Sequence, residues 1–256
     1  MKIFLALCAL IYLTNPLATC AAPPADEPTA GWGGTAGVGP IIFPKYIGSK
    51  STQAFPIPIL SINYDETFYV ELERMGVYIV ASDDKKTGLG LAVEPRFGYS
   101  AKDGARLLGM SKRRDSLEGG VTFDRDFDIV AFSVAYFRDL AHSSSGNSLR
   151  ASVYKPLVKQ GRWDIGALLA FDIMSDRVTN YYFGVRPTEA TQKRPSYQPG
   201  HATSPAVGLS GNYKFDKQYA FMFGVISTHL PGSVAASPIV ETRRASTWYL
   251  GCGWNL

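Results

Sequence analysis

The sequence predicts an all-β protein, a transmembrane antiparallel β-barrel of the outer membrane with about 12 strands, or 10 as the alternative count. Three observations predict it. Segments of about ten residues with alternating apolar and polar positions follow one another along most of the chain. The connections between them alternate between short and long. The N-terminus reads as an export leader, and no later stretch approaches the ~18 consecutive apolar residues of a membrane helix.

The run Trp163 to Met174 shows the pattern. Trp163, Ile165, Ala167, Leu169, Phe171 and Ile173 fall on one face, and Asp164, Gly166, Leu168, Ala170 and Asp172 on the other. A strand sends successive side chains to opposite faces, so this segment has one greasy side and one that is mostly small or acidic. Alternation alone equally fits one sheet of a soluble sandwich. Repetition and export decide for a barrel.

Lys2 followed by the apolar run Ile3 to Leu13 has the form of a signal peptide, residues 1–22, with Cys20-Ala21-Ala22 offering small residues for cleavage. A competing reading makes Leu17-Ala18-Thr19-Cys20 a lipidation site, although Thr19 is bulkier than the residue usual before a lipidated cysteine. Residues 23–30 form a Pro-rich lead-in, and 31–256 the barrel. Of the three cysteines, Cys8 and on the first reading Cys20 leave with the leader, so Cys252 stands alone and no disulfide framework or cysteine metal site is expected. The formal charge of +4 falls to +3 without Lys2, and no basic cluster is interleaved with aromatics, so nucleic acid is not an expected partner.

The strands follow in order. Trp32 to Phe43 is Gly-rich. Ala54 to Tyr64 carries Pro56 and Pro58, which cannot donate to a ladder and mark it as irregular or locally unpaired. Strand parity slips before Thr87, so either Phe68 to Val80 is two short strands or an N-terminal segment supplies another. Thr87 to Tyr99 alternates cleanly, as do Leu117 to Phe127 and Asp128 to Arg138. Ser148 to Lys159 is weaker because Lys155 lands on the apolar face. Trp163 to Met174, Ala206 to Phe215, Tyr219 to Val225 and Thr247 to Leu256 complete the series. The second faces collect Glu94, Arg96, Glu118, Asp124, Asp164, Asp172, Asn212 and Lys214, which a barrel in lipid turns toward its lumen. Tyr99, Tyr136, Trp163, Tyr219 and Trp248 lie near the ends of apolar faces, as an interfacial girdle requires.

Several motifs together carry a resemblance. Gly37-Val38-Gly39 precedes Pro44-Lys45-Tyr46-Ile47-Gly48-Ser49. Phe55-Pro56-Ile57-Pro58 leads to Asn63-Tyr64. Tyr181-Tyr182-Phe183-Gly184-Val185 comes with Glu189-Ala190 and Tyr197, and Ser237-Pro238-Ile239-Val240-Glu241 precedes the last strand. In this order and spacing they make the mature chain resemble the MipA/OmpV family, the MltA-interacting outer-membrane proteins of Gram-negative bacteria. One departure is the final residue, Leu256, where such barrels usually end on an aromatic; Trp254 keeps the alternation.

The resemblance implies a non-enzymatic protein of the Gram-negative outer membrane. It implies a scaffold in peptidoglycan biogenesis that joins a lytic murein transglycosylase to a penicillin-binding protein, embedded in outer-membrane lipid and needing no cofactor. A passive channel or an adhesin is the alternative, and a lipid-modifying barrel enzyme is a third. The third needs a nucleophile and base within hydrogen-bond reach; the histidines His142, His201 and His229 all fall near loops, and His142 beside Ser143-Ser144-Ser145 reads as a solvated loop. Asp124 and Asp126 read as turn residues. No metal-ligand spacing occurs. Two segments stay candidates. Lys112, Arg113 and Arg114 are either lipopolysaccharide contacts or a solvated charge run. Tyr181, Tyr182, Phe183, Gly184 and Val185 are either a plug packed into the barrel mouth or a partner surface.

Overall fold

The computed structural model describes residues 31–65, 67–72 and 74–256. The leader and the Pro-rich lead-in lie outside the described residues, as do Cys8 and Cys20. The described chain closes into a barrel of twelve strands: β1 (Trp32–Pro44), β2 (Thr52–Tyr64), β3 (Phe68–Glu71), β4 (Arg74–Ala81), β5 (Thr87–Arg96), β6 (Ser116–Asp126), β7 (Ala131–Asp139), β8 (Asn147–Gln160), β9 (Trp163–Met174), β10 (Ala202–Lys214), β11 (Tyr219–His229) and β12 (Arg244–Asn255). Every neighbour is antiparallel, and β1 pairs with β12 to complete the ring. Phe68 to Val80 is therefore two strands, which restores the even count and removes the ten-strand alternative.

Alternation decides which way each side chain points. In β9, Leu169, Phe171 and Ile173 are exposed on the outer wall, while Leu168 and Ala170 are buried inside. In β5, Leu89 and Leu91 face out while Ala92, Glu94 and Arg96 are buried. Lys155 does lie on the outer face. The ladder to β9 slips between Pro156 and Val158, so Leu157 bulges out and Val158 takes over the outward position. The long Lys155 stem allows its charge to reach the interface.

The short connections, at 65–67, 82–86, 127–130, 161–162 and 215–218, share one end of the barrel. Aromatic contacts mark that end: Trp32 with Tyr64 at 5.2 Å and Phe68 at 6.3 Å, and Trp163 with Tyr213 at 4.7 Å. By the usual asymmetry of such barrels this is the periplasmic rim. Long loops leave the other end at 97–115, 175–201 and 230–243. One girdle expectation is corrected. Tyr136, Trp163, Tyr219 and Trp248 are exposed on the outer wall, but Tyr99 is buried. β5 ends at Arg96, and Tyr99 continues only as an isolated bridge to Arg113 that carries it into the loop layer.

Candidate functional site: an ion-paired lumen under a folded cap

Two layers of polar order stand out. The first fills the barrel directly beneath the outer loops, at the loop-side ends of the strands. Arg96 grips Glu118 with Nε at 2.5 Å and Nη2 at 3.0 Å, a bidentate pair. Arg150 Nη2 shares the same carboxylate at 2.6 Å and also pairs with Glu94. Arg74 Nε donates to Glu94 at 3.1 Å. Asp172 lies 3.5 Å from Arg96 and 3.6 Å from Arg150. Three guanidinium groups thus face three carboxylates, and the Phe137 ring lies between Arg74 and Arg150, whose Cζ atoms are 5.3 and 5.0 Å from its centre. The network ties β4, β5, β6, β8 and β9 together across the lumen. Its members are nearly inaccessible apart from the partly exposed Asp172, and charges this dry are tolerated only when paired.

The second layer caps the mouth. A buried apolar cluster joins Tyr46 and Ile47 to Tyr99, Leu107, Met110, Val178, Tyr182, Phe183, Val185, Leu230, Val234, Ile239 and Val240. It draws on four separate loops. The helix α1 (Asp176–Phe183) buries Val178, Thr179, Tyr182 and Phe183, positions four apart that share a face. Hydroxyl groups stitch the loops: Tyr99 to the Tyr182 carbonyl at 2.8 Å, Tyr46 to the Ile239 carbonyl at 2.9 Å, Tyr197 to the Ser233 carbonyl at 2.7 Å and Ser237 to the Phe183 carbonyl at 2.6 Å. Burial, and then the nearby Glu241 charge, pushes the Tyr46 hydroxyl up to about 12, so it stays a donor.

Arg113 is the centre of the cap. All five of its N–H donors are used: Nε on the Tyr181 carbonyl, Nη1 on the Ser111 carbonyl and Glu189, and Nη2 on the Gly184 carbonyl and Glu189. Burial opposes ionisation of Glu189, but hydrogen bonds from Arg113 and from the Arg186 and Ser111 amides outweigh it, and the carboxyl is held down at about 2. Arg194 makes a second clasp, reaching the carbonyls of Arg106, Leu108 and Glu189.

The sequence candidates divide accordingly. Lys112 and Arg114 are exposed on the cap. Arg113 is fully buried, which removes it as a lipopolysaccharide contact; a basic triplet in an extended loop points its middle member the opposite way from its neighbours. Tyr182, Phe183, Gly184 and Val185 are buried in the cap, with Tyr181 partly buried against it. His142, His201 and His229 are all exposed. The Ser143–Ser145 run serves its own loop: Ser143 donates to the Asp115 carbonyl, and the amides of Ser144 and Ser145 cap the Asp139 carboxylate. The sequence reading missed Arg74 and Arg150 in the lumen and Arg194 in the cap. For Arg150 the signal was present, since it falls on the face opposite Leu149, Ala151 and Val153.

The family model described as "MltA-interacting protein MipA" matches residues 36–256. The outer membrane protein OmpV of Vibrio cholerae is 25% identical over 71% of this chain, and the putative outer membrane protein YiaT of Escherichia coli K12 is 23% identical over 81%. The chain spans 64% of the length of the first and 83% of the second. Among solved structures, the NanC porin aligns over 87% of this chain and 100% of its own at 10% identity, with a TM-score of 0.47. The motifs Tyr181–Val185, Glu189, Tyr197 and Ser237–Glu241 converge in the cap. This outer-membrane barrel belongs to the MltA-interacting protein MipA family.

Proposed function

We propose that this protein is a non-enzymatic barrel with a filled lumen that holds a murein-remodelling lytic transglycosylase at the inner surface of the outer membrane, with a penicillin-binding protein as the second enzyme of the assembly. The family description names the first interaction. The observation that carries the reading is the occupied lumen: a barrel cross-braced by buried ion pairs and closed by a packed cap offers surfaces for binding rather than a path for solutes. A murein-side partner meets short turns, and one of them is apolar. The turn between β6 and β7 presents Phe127 at 53% and Ile129 at 74% exposure, with Asp128 at φ 68° holding the tip. An exposed pair of large apolar side chains on a turn fits a protein contact. The test is co-purification of the native barrel with a lytic transglycosylase after gentle solubilisation. Ile129→Glu with Phe127→Ser should abolish recovery without changing barrel folding; unchanged recovery overturns this contact, and no recovery with the native chain overturns the scaffold.

A second reading concerns the outside. Lys112 and Arg114 project from the cap, where lipopolysaccharide phosphates lie in an outer membrane, and cations there gain from nearby anionic groups. Lys112→Glu with Arg114→Glu should weaken binding of purified lipopolysaccharide to the detergent-solubilised barrel; equal binding rejects the contact.

A further inference from the structure

The ring of strands is complete only over part of its height. β3 has four residues, and its pairing with β2 stops at Ser61↔Glu71. Above that the Leu72 amide donates to the Leu60 carbonyl at 2.7 Å, and the hairpin turns back. β4 pairs with β5 only up to Met75↔Val93. β2 continues outward from Ile59 to Thr52 with β1 on one side and, among the described residues, no strand on the other. No ladder joins β2 to β5 across the gap. At this height the two strand positions between β2 and β5 carry no paired strand.

Three prolines border the break. Pro40 stands opposite Pro56, and neither can donate, so that pair is not hydrogen-bonded and Pro56 turns its backbone polar edge away from β1. The period of two gives Pro58 the same orientation. On the other side the Leu117 carbonyl accepts from Leu140, so Leu117 bonds toward β7, and Pro95 opposite it faces the break. An edge with fewer free N–H groups is the usual protection against unwanted strand pairing. The irregularity expected of the second strand is thus an edge, not a distortion.

The break is bounded above. Tyr46, from the loop after β1, meets the Tyr99 ring at 5.7 Å, and Gly104 sits against the Tyr46 ring. It is therefore a window. Counting from the girdle residue Tyr64, the ~9–11 residues that cross the apolar layer reach Ala54, so the opening from Leu60 to Ala54 lies in its outer half. Behind it is an apolar inner wall of Ile41, Phe43, Ile57, Ile59, Met222 and Tyr249, with Leu72 packed on it as the lower sill. Phe55 belongs to that inner face, directly opposite Ile41 in register. Ile41 is 0% exposed, whereas Phe55 is 36% exposed, 6.1 Å from the Phe43 ring. Lys45 and Lys50 in the loop after β1 and Lys102 in the loop after β5 are exposed on the two loops that meet above the window, while Arg106 is held by the Pro238 and Val240 carbonyls and by Glu241.

We propose that this window is a lateral binding site for a phosphorylated lipid of the outer leaflet, one acyl chain lying in the opening against Phe55 and Leu72 and the phosphate meeting Lys45, Lys50 and Lys102. Acyl chains are what stands beside the barrel wall at this depth. The excess of cations directly above selects an anionic headgroup among them. This site is independent of any murein-side partner.

The test uses the full chain in vesicles of phosphatidylcholine doped with lipid A, with a benzophenone side chain in place of Phe55, of Phe171 on the outer wall, or of Phe137 in the filled interior. Folding of each is checked by heat-modifiable gel mobility. After illumination, position 55 should carry lipid A adducts enriched several-fold over the lipid A share of the vesicle. Position 171 should carry both lipids in proportion to the mixture, and position 137 neither. Lys45→Glu with Lys102→Glu should return position 55 to the vesicle composition. No lipid adduct at position 55 means that the window is shut and overturns the site. Adducts in vesicle proportion there, unmoved by the charge reversals, mean bulk lipid only and overturn it equally.

Discussion

Arg113 and Glu189 meet through two hydrogen bonds of 2.7 and 2.6 Å inside the cap, joining the loop after β5 to the loop after β9. The side chains are 0% and 3% exposed. Removing one partner strands a buried charge, which costs about 3–5 kcal/mol. Arg113→Ala should loosen loops 97–115 and 175–201 and leave the barrel closed. Hydrogen exchange read separately for cap and strand amides checks this; equal loss of protection in both would contradict it. Arg113→Lys should fail to rescue, because an ammonium cannot supply five donors in a planar fork.

The same pair sets a pH dependence. The Glu189 carboxyl lies at about 2 in the folded cap, against an ordinary value of 4.5. A depressed carboxyl contributes its stabilisation in full above the ordinary value and loses it as pH falls through the folded one. Cap stability should therefore hold down to about pH 5 and decline from there toward about pH 2. Proteolysis with an acid-stable protease across that window measures it. Glu189→Gln should be weaker at neutral pH and show a flatter acid profile.

Glu118 is shared by Arg96 and Arg150, so it is the hinge of the lumen network. Glu118→Ala leaves two guanidinium groups competing for Glu94 and Asp172 and removes atoms from the lumen just beneath the cap. The unfolding midpoint in urea should fall, with a loss of about 3–5 kcal/mol, and planar bilayers should show conductance that the native chain lacks. A native chain that conducts persistently contradicts the filled-lumen reading.

Strand positions were legible where one face must meet lipid, because the period of two is then enforced at every step, as in Thr87–Arg96 and Trp163–Met174. The lumen charges Glu94, Arg96 and Glu118 were legible for the same reason. What was not legible depends on contacts distant in sequence. Arg113 looks like Lys112 and Arg114 until Glu189, 76 positions later, folds over it. Tyr99 extends a clean alternation, but the chain leaves the barrel wall before it. Pro56 and Pro58 announced an unpaired edge, but only the brevity of β3 shows on which side and how far it runs.

Leu168 and Leu169 are adjacent in β9 and have opposite surroundings: Leu168 is buried against Tyr154 in the lumen, and Leu169 is 45% exposed on the outer wall. If that wall faced water, Leu169→Arg would cost little, since exposed substitutions usually stay within ~0.5 kcal/mol. Facing acyl chains, it should cost about 2–4 kcal/mol near the bilayer centre and less toward the rims. Leu169 and Trp163 lie on the same face, so Leu169→Arg should destabilise more than Trp163→Arg at the periplasmic girdle. The measurement is reversible urea unfolding in phospholipid vesicles, read by tryptophan emission for Leu169→Arg and by heat-modifiable gel mobility for both variants. A depth-independent or negligible cost would mean that the apolar outer face is not held in lipid, and the membrane-spanning reading of the strands would fall with it.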